Sequence, residues 1–200
     1  MDSPEIAALS EVWARSFGSK AEDYDTFRPP LPIAVASWLG VQPEHSVVDV
    51  GAGTGQASRM LSAMGAHVVA VEADASMAQV LRSRSDGVET KLGTAEALPV
   101  ASGSADLVLA VSAWHWFDQH AAFDEAARVV RPGGVLGIVW NGMDQTDPWG
   151  RRFMAATETA DNTVLPPEVR PGPHALEPPH GFTVHGRREN RAPLDVASNP

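Results

Sequence analysis

The 200-residue chain has no cysteine, which excludes disulfides, thiol nucleophiles and a Cys-ligated zinc site. Long apolar runs are missing too, since none approaches the roughly 20 residues a helix needs to span a bilayer. Positive charge is scarce. Fifteen Lys and Arg stand against 25 Asp and Glu, a formal net charge of −10, whereas nucleic-acid binding rests on clustered cations. The dense basic clusters, Arg151-Arg152 and Arg187-Arg188 with Arg191, read as solvated faces. Met1-Asp2-Ser3-Pro4-Glu5 is acidic and lacks the apolar region of a secretory signal. A cytoplasmic setting is expected, without a nucleic-acid or membrane partner. His120, His174, His180 and His185 show no ligand spacing, so no metal is expected.

What is present suits one globular domain: 44% hydrophobic residues over 200 positions. Its organising stretch is Ser46–Gln56, Ser-Val-Val-Asp-Val-Gly-Ala-Gly-Thr-Gly-Gln. Val47, Val48 and Val50 read as a strand buried on both faces, as in a parallel sheet. Gly51, Gly53 and Gly55 then permit a tight turn that a ligand can approach closely. Gln56–Gly65 reads as a helix with Gly65 at its C-terminal cap. The next buried strand, His67–Val71, ends at Glu72, about the 20 residues on at which an acid accepts ribose hydroxyls. Such hydrogen bonds to a charged acceptor contribute roughly 1.5–3 kcal/mol each. The combination predicts a nucleoside site. A dinucleotide fingerprint would place its third glycine at Gln56, and Asp49 beside the turn suits a cationic ligand better than a pyrophosphate.

Val-Val-Asp-Val-Gly-Ala-Gly-Thr-Gly resembles the first motif of class I S-adenosylmethionine-dependent methyltransferases, and Glu72 matches that family's acid. Gly93-Thr94-Ala95-Glu96-Ala97-Leu98-Pro99 is similar to the small-molecule (type 11, quinone-biosynthesis-like) subgroup, where the backbone at the alanine and a neighbouring acid meet adenine. Thr94 stands at the usual aspartate position, leaving Glu96 as the acid available to adenine N6. Asp106–Ser112 followed by Ala113-Trp114-His115-Trp116-Phe117-Asp118 resembles the subgroup's fourth strand and loop. Arg131-Pro132-Gly133-Gly134 resembles the turn into the fifth strand, Val135–Trp140. Tyr24-Asp25-Thr26-Phe27-Arg28-Pro29 looks like a lid segment. The resemblance implies S-adenosylmethionine as cofactor, S-adenosylhomocysteine as product and a small-molecule acceptor. It also implies cofactor contacts from Tyr24, Arg28, Met77 and Ser112 besides those above: Tyr24 on the sulfonium, Arg28 on the methionine carboxylate, Met77 on adenine or as plain core.

In chain order, Ser3-Pro4-Glu5 starts a helix carrying Ile6, Leu9, Val12, Trp13 and Phe17. Gly18–Pro32, with three prolines, reads as an ordered loop. Ile33–Leu39 is a short helix closed by Gly40. Ala75–Arg84 is the second crossover helix, Val88–Leu92 the third strand, Asp106–Val111 the fourth, and Asp118 caps the helix after it. Strands alternating with helices predict an α/β fold, a doubly wound, mostly parallel sheet with helices on both faces. The expected divisions are 1–40 (N-terminal helices and lid), 41–145 (cofactor-binding core) and 146–200. The last comprises a helix from Asp147 to about Ala160, a proline-rich stretch and a sixth strand at Phe182–Arg187. The resembling family adds an antiparallel seventh strand, for which no candidate exists, so the C-terminal part is expected to be truncated or a shortened variant.

Methyl transfer from a sulfonium needs chiefly in-line alignment, with a general base only for protonated acceptors such as phenols or amines. His115 is the candidate base, or else a structural histidine under its loop; Trp114 and Trp116 are candidates to wall an acceptor pocket, or one of them is plain core. Two other readings stay open: a non-catalytic domain that binds the cofactor or its product as a sensor or partner subunit, and a nicotinamide-dependent oxidoreductase, which Gln56 and Asp49 disfavour.

Overall fold

The computed structural model describes residues 20–28, 30–142, 146–148, 151–152 and 182. The expected N-terminal helix at 3–17, the helix beyond Arg152, the proline-rich stretch and all of the sixth strand after Phe182 lie outside the described residues.

Five strands form one parallel sheet: β1 (Ser46–Val50), β2 (His67–Glu72), β3 (Val88–Leu92), β4 (Ala105–Val111) and β5 (Val130–Val139), in the order β3-β2-β1-β4-β5. Val48 lies between Val69 of β2 and Val108 of β4. The inner strands are the near-continuous apolar runs; β3, Val-Glu-Thr-Lys-Leu, alternates and keeps its charges at an edge of the sheet, where exposed ladder groups need them. The period of two sorts the core. Val48, Val50, Val108 and Ala110 face α5 (Gln119–Val129) through Ala122, Phe123 and Ala126. Val47, Leu107 and Leu109 face Ala36 of α2 (Ile33–Trp38) and Ala57 and Leu61 of α3 (Gln56–Ala63). Helices therefore cover both faces, as expected. The element α4 (Ala75–Arg84) buries Met77, Ala78 and Leu81.

Helix ends follow their caps. Asp74 Oδ1 accepts from the amides of Ser76 and Met77 at 2.8 and 2.9 Å, and Asp118 Oδ1 accepts from that of Ala121. Gly40 and Gly65 follow α2 and α3 at φ +75° and +90°, the left-handed conformation that closes a helix.

Two expectations are corrected. Gly18–Pro32 is not a loop throughout, because Ala21–Phe27 forms a helix, α1. Glu22 and Asp23 favour its positive N-terminal end, and Arg28 turns extended before the next proline. The segment Arg131–Gly134 is not a turn ahead of a separate strand. Val130 already pairs with Ala105, and pairing resumes at Leu107↔Val135, so these four residues bulge from a single strand. The carboxylate of Asp106 braces the bulge by pairing with Arg131 and accepting the Ser46 amide at 2.8 Å.

Candidate functional site

The strand order reverses between β1 and β4, and in open α/β sheets ligands bind outside the carboxyl ends of the strands at such a point. The segments that meet there are the glycine turn after β1 and the loop after β4. A Cβ built on Gly51 would stand 2.7 Å from Ala113 Cβ and 3.0 Å from Phe117 Cζ, so the two segments are in direct contact. Gly51, Gly53 and Gly55 have φ of +65°, +58° and +87°. Gly55 backs onto α4, 2.6 Å from Leu81 Cγ by the same measure, whereas Gly53 meets nothing nearer than Tyr24 Cε1 at 3.9 Å. The backbone at Gly53 is the bare part of the turn.

Glu72, at the tip of β2, is buried and fixed to that turn. Its Oε2 accepts the Gly53 amide at 2.7 Å and its Oε1 the Asp74 amide at 2.8 Å. A carboxylate has about four acceptor sites, so Glu72 keeps acceptor capacity for a hydroxyl of a bound ribose. Burial pushes the Glu72 carboxyl up; the amides of Asp74, Gly53 and Ala73 oppose this without cancelling it. Asp49 is placed differently. It lies behind the turn, 1% exposed, accepting the Ser58 hydroxyl at 2.5 Å. Burial raises its carboxyl to about 6, with Ser58 opposing and the charge of Glu72 adding. Asp49 is therefore shut away from solvent on the α3 side of the turn. The signal was in the alternation, which puts Asp49 on the α3 face with Val47.

The helix α1 brings Tyr24 over the turn. Burial raises the Tyr24 phenol, Arg28 opposing and Glu72 adding; the Arg28 guanidinium lies 5.5 Å from the centre of its ring, a cation–π pair. Asp25, which the sequence did not single out, anchors this helix. Its Oδ1 accepts from Arg59 at 2.7 Å and its Oδ2 from Arg84 at 2.6 Å, and its carbonyl accepts from Gln56 at 2.7 Å. Burial alone would raise the Asp25 carboxyl, but the Thr54 hydroxyl and the two guanidiniums together outweigh it and hold it below its ordinary value.

The remaining predicted residues line the other rim. Met77 and Ala95 are buried, Thr94 is exposed, and Glu96 Oε1 accepts the Asp118 amide at 2.9 Å, joining the segment after β3 to the loop after β4. Ser112 adopts φ +52°, a sparsely populated conformation for a non-glycine residue, common at functional sites. Its amide donates to Val139 O at 2.7 Å and its hydroxyl accepts the Asn141 amide at 3.2 Å. Half-buried His115 packs on Trp116 with ring centres 4.5 Å apart and accepts at Nδ1 from Trp140 Nε1 at 3.4 Å. Trp114 is not a pocket wall. It is 2% exposed, edge-on to Phe117 and Phe123 in the core. Among the described residues no cluster could hold a metal ion, and no helix is long and apolar enough to cross a membrane.

A parallel sheet that reverses at β1 and β4, with a glycine turn and an acid at the reversal, defines the class of Rossmann-like domains. Within that class, residues 48–138 match the family described as Methyltransferase domain, and the chain carries a class I S-adenosylmethionine-dependent methyltransferase domain. An uncharacterized methyltransferase of Mycobacterium tuberculosis is 43% identical over 138 residues, 69% of this chain and 57% of that protein. A malonyl-[acyl-carrier protein] O-methyltransferase of Methylococcus capsulatus is 35% identical over 134 residues, 62% of this chain and 49% of that protein. The solved structure of a SAM dependent methyltransferase from Aquifex aeolicus shares the fold, with a TM-score of 0.57 at 21% identity over 64% of this chain and 74% of the other. The chain spans about half the length of the curated relatives it matches.

Proposed function

We propose that this protein transfers a methyl group from S-adenosylmethionine to a small-molecule acceptor in the cytoplasm, leaving S-adenosylhomocysteine. The observation that carries the reading is the 2.7 Å hydrogen bond from the Gly53 amide to buried Glu72, which presets a carboxylate beside bare backbone. When bound, the cofactor supplies a methyl activated by its sulfonium. The chain's own residues bind and align. Glu72 takes the ribose hydroxyls, and Gly51, Gly53 and Gly55 let the ligand lie against the backbone. Met77, Thr94, Ala95 and Glu96 flank adenine. Tyr24 and Arg28, held down through Asp25, cover the methionine end and exclude water. Ser112 borders the cofactor, and His115 the acceptor. Negative field from Asp49 favours a cationic ligand.

Thermal unfolding of the full chain with S-adenosylmethionine or NAD tests the cofactor, and release of S-adenosylhomocysteine with added small-molecule acceptors tests the reaction. Stabilisation by S-adenosylmethionine alone, with product released, is expected. Stabilisation by NAD alone would overturn the proposal.

A further inference from the structure

Arg59 lies in the first turn of α3, and its guanidinium reaches two segments at once. Nη1 donates to the Thr54 carbonyl at 2.7 Å, and Thr54 stands between Gly53 and Gly55, 1% exposed. Nη2 donates to Asp25 Oδ1 of α1, also at 2.7 Å. The fork is planar and its arms are fixed relative to each other, so neither contact adjusts without the other. Ser85 narrows the freedom further, since its Oγ lies 3.4 Å from Nη1 and backs onto Gly55. Three residues earlier, on the same helix face, Gln56 Nε2 donates to the Asp25 carbonyl at 2.7 Å.

Arg84 supplies a contrast. It comes from the end of α4 and donates to Asp25 Oδ2 at 2.6 Å, with no hydrogen bond to the glycine turn among the described residues. The Asp25 side chain is 8% exposed between guanidiniums that are 28% and 39% exposed. Without its carboxylate the two cations would face each other with no anion between them, which favours α1 in place. In that arrangement Tyr24, the residue before Asp25, stands over Gly53.

We propose that Arg59 is a positioning residue that makes the seating of α1 and the shaping of the cofactor turn a single event. The inference rests on the methyltransferase reading and adds how that site is regulated. S-adenosylmethionine bound at the turn strengthens the seating of α1, and seated α1 strengthens binding by the same factor. Release of S-adenosylhomocysteine requires Arg59 to let go of one partner, so this residue sets how long the product stays.

Tyr24 is the chain's one tyrosine, so 3-fluorotyrosine gives a single fluorine-19 signal, from α1 itself. The Gly55 amide, bonded to the Thr54 carbonyl carbon, reports on the turn. Both are read in the ligand-free full chain, for the parent, Arg84→Met, Arg59→Met and the double variant. Arg84→Met removes an anchor of α1 that does not touch the turn, and should shift the fluorine signal in either background. It should shift the Gly55 amide only where Arg59 is present. A Gly55 amide that ignores Arg84→Met in the parent, or responds equally without Arg59, would overturn the proposal. Arg59→Lys, which keeps the charge but has no second arm, replaces Arg59→Met if the latter does not fold. Calorimetry with S-adenosylhomocysteine should then show binding about tenfold weaker in Arg59→Met and about threefold weaker in Arg84→Met, the scale of partly screened charge-assisted contacts. Stopped-flow displacement should place the loss in faster dissociation. Equal affinity in Arg59→Met and the parent, or a loss wholly in association, overturns the proposal. Failure of the parent itself to bind would sink the methyltransferase reading, while the ligand-free comparison still decides the role of Arg59.

Discussion

Asp49 and Glu72 are carboxylates folded into an apolar interior, and both sit above their ordinary range because burial disfavours the charged form. For Asp49 the shift is from 3.8 to about 6. The native state therefore holds the proton more tightly than the unfolded chain. This contribution to stability is fully present below about pH 4, falls as pH rises to 6 and is flat above, a change of about 3 kcal/mol at most. Urea unfolding of Asp49→Asn against the parent should show the variant gaining relative stability from pH 4 to 6 and no further. The glycines separate by what they face. Gly55→Ala would press on Leu81 at φ +87° and should cost about 1–3 kcal/mol in the same assay. Gly53→Ala has room and should cost only about 1–2 kcal/mol for its left-handed backbone, while weakening S-adenosylmethionine binding. Glu72 and the glycines were legible because they are local signals at fixed spacing. The Ser58 partner of Asp49 was not, because no local pattern marks a hydrogen bond nine residues on.

The helix α1 has seven residues, too few to hold its shape in water alone, so its position depends on what it is tied to. Asp25, with an 8% exposed side chain, is that tie. Asp25→Ala should lower S-adenosylmethionine affinity about tenfold, the scale of one partly screened charge-assisted hydrogen bond, and make binding less sensitive to salt. The unfolding midpoint should move little, because the sheet is untouched. Sequence reading found Tyr24 and Arg28 in the lid but took the segment for a loop. The partners of Asp25 lie 34 and 59 residues away, and no local pattern announces a contact of that range. Trp114 shows the same limit. Beside His115 and Trp116 its sequence context left pocket wall and core both open, and the 3-10 turn Trp114–Trp116 places it in the core.

At the scale of the whole molecule, short β-branched runs between amphipathic stretches made the doubly wound sheet legible from sequence. The bulge that merges Arg131–Gly134 into β5 was hidden, because Pro and Gly signal a turn equally well inside or outside a strand. Among the described residues β1 and β4 each have strands on both sides, whereas β3 and β5 pair on one side only. Native-state hydrogen exchange should accordingly show Val48 and Leu109 amides opening only with global unfolding, and β3 amides earlier. The central claim is that Glu72 and the glycine turn together grip an adenosyl group. Calorimetric titration of S-adenosylmethionine into the parent and into Glu72→Ala, with both shown to be folded, tests it directly. Loss of two hydrogen bonds to a charged acceptor predicts affinity at least about a hundredfold weaker in the variant; equal affinity in the two proteins would contradict the account.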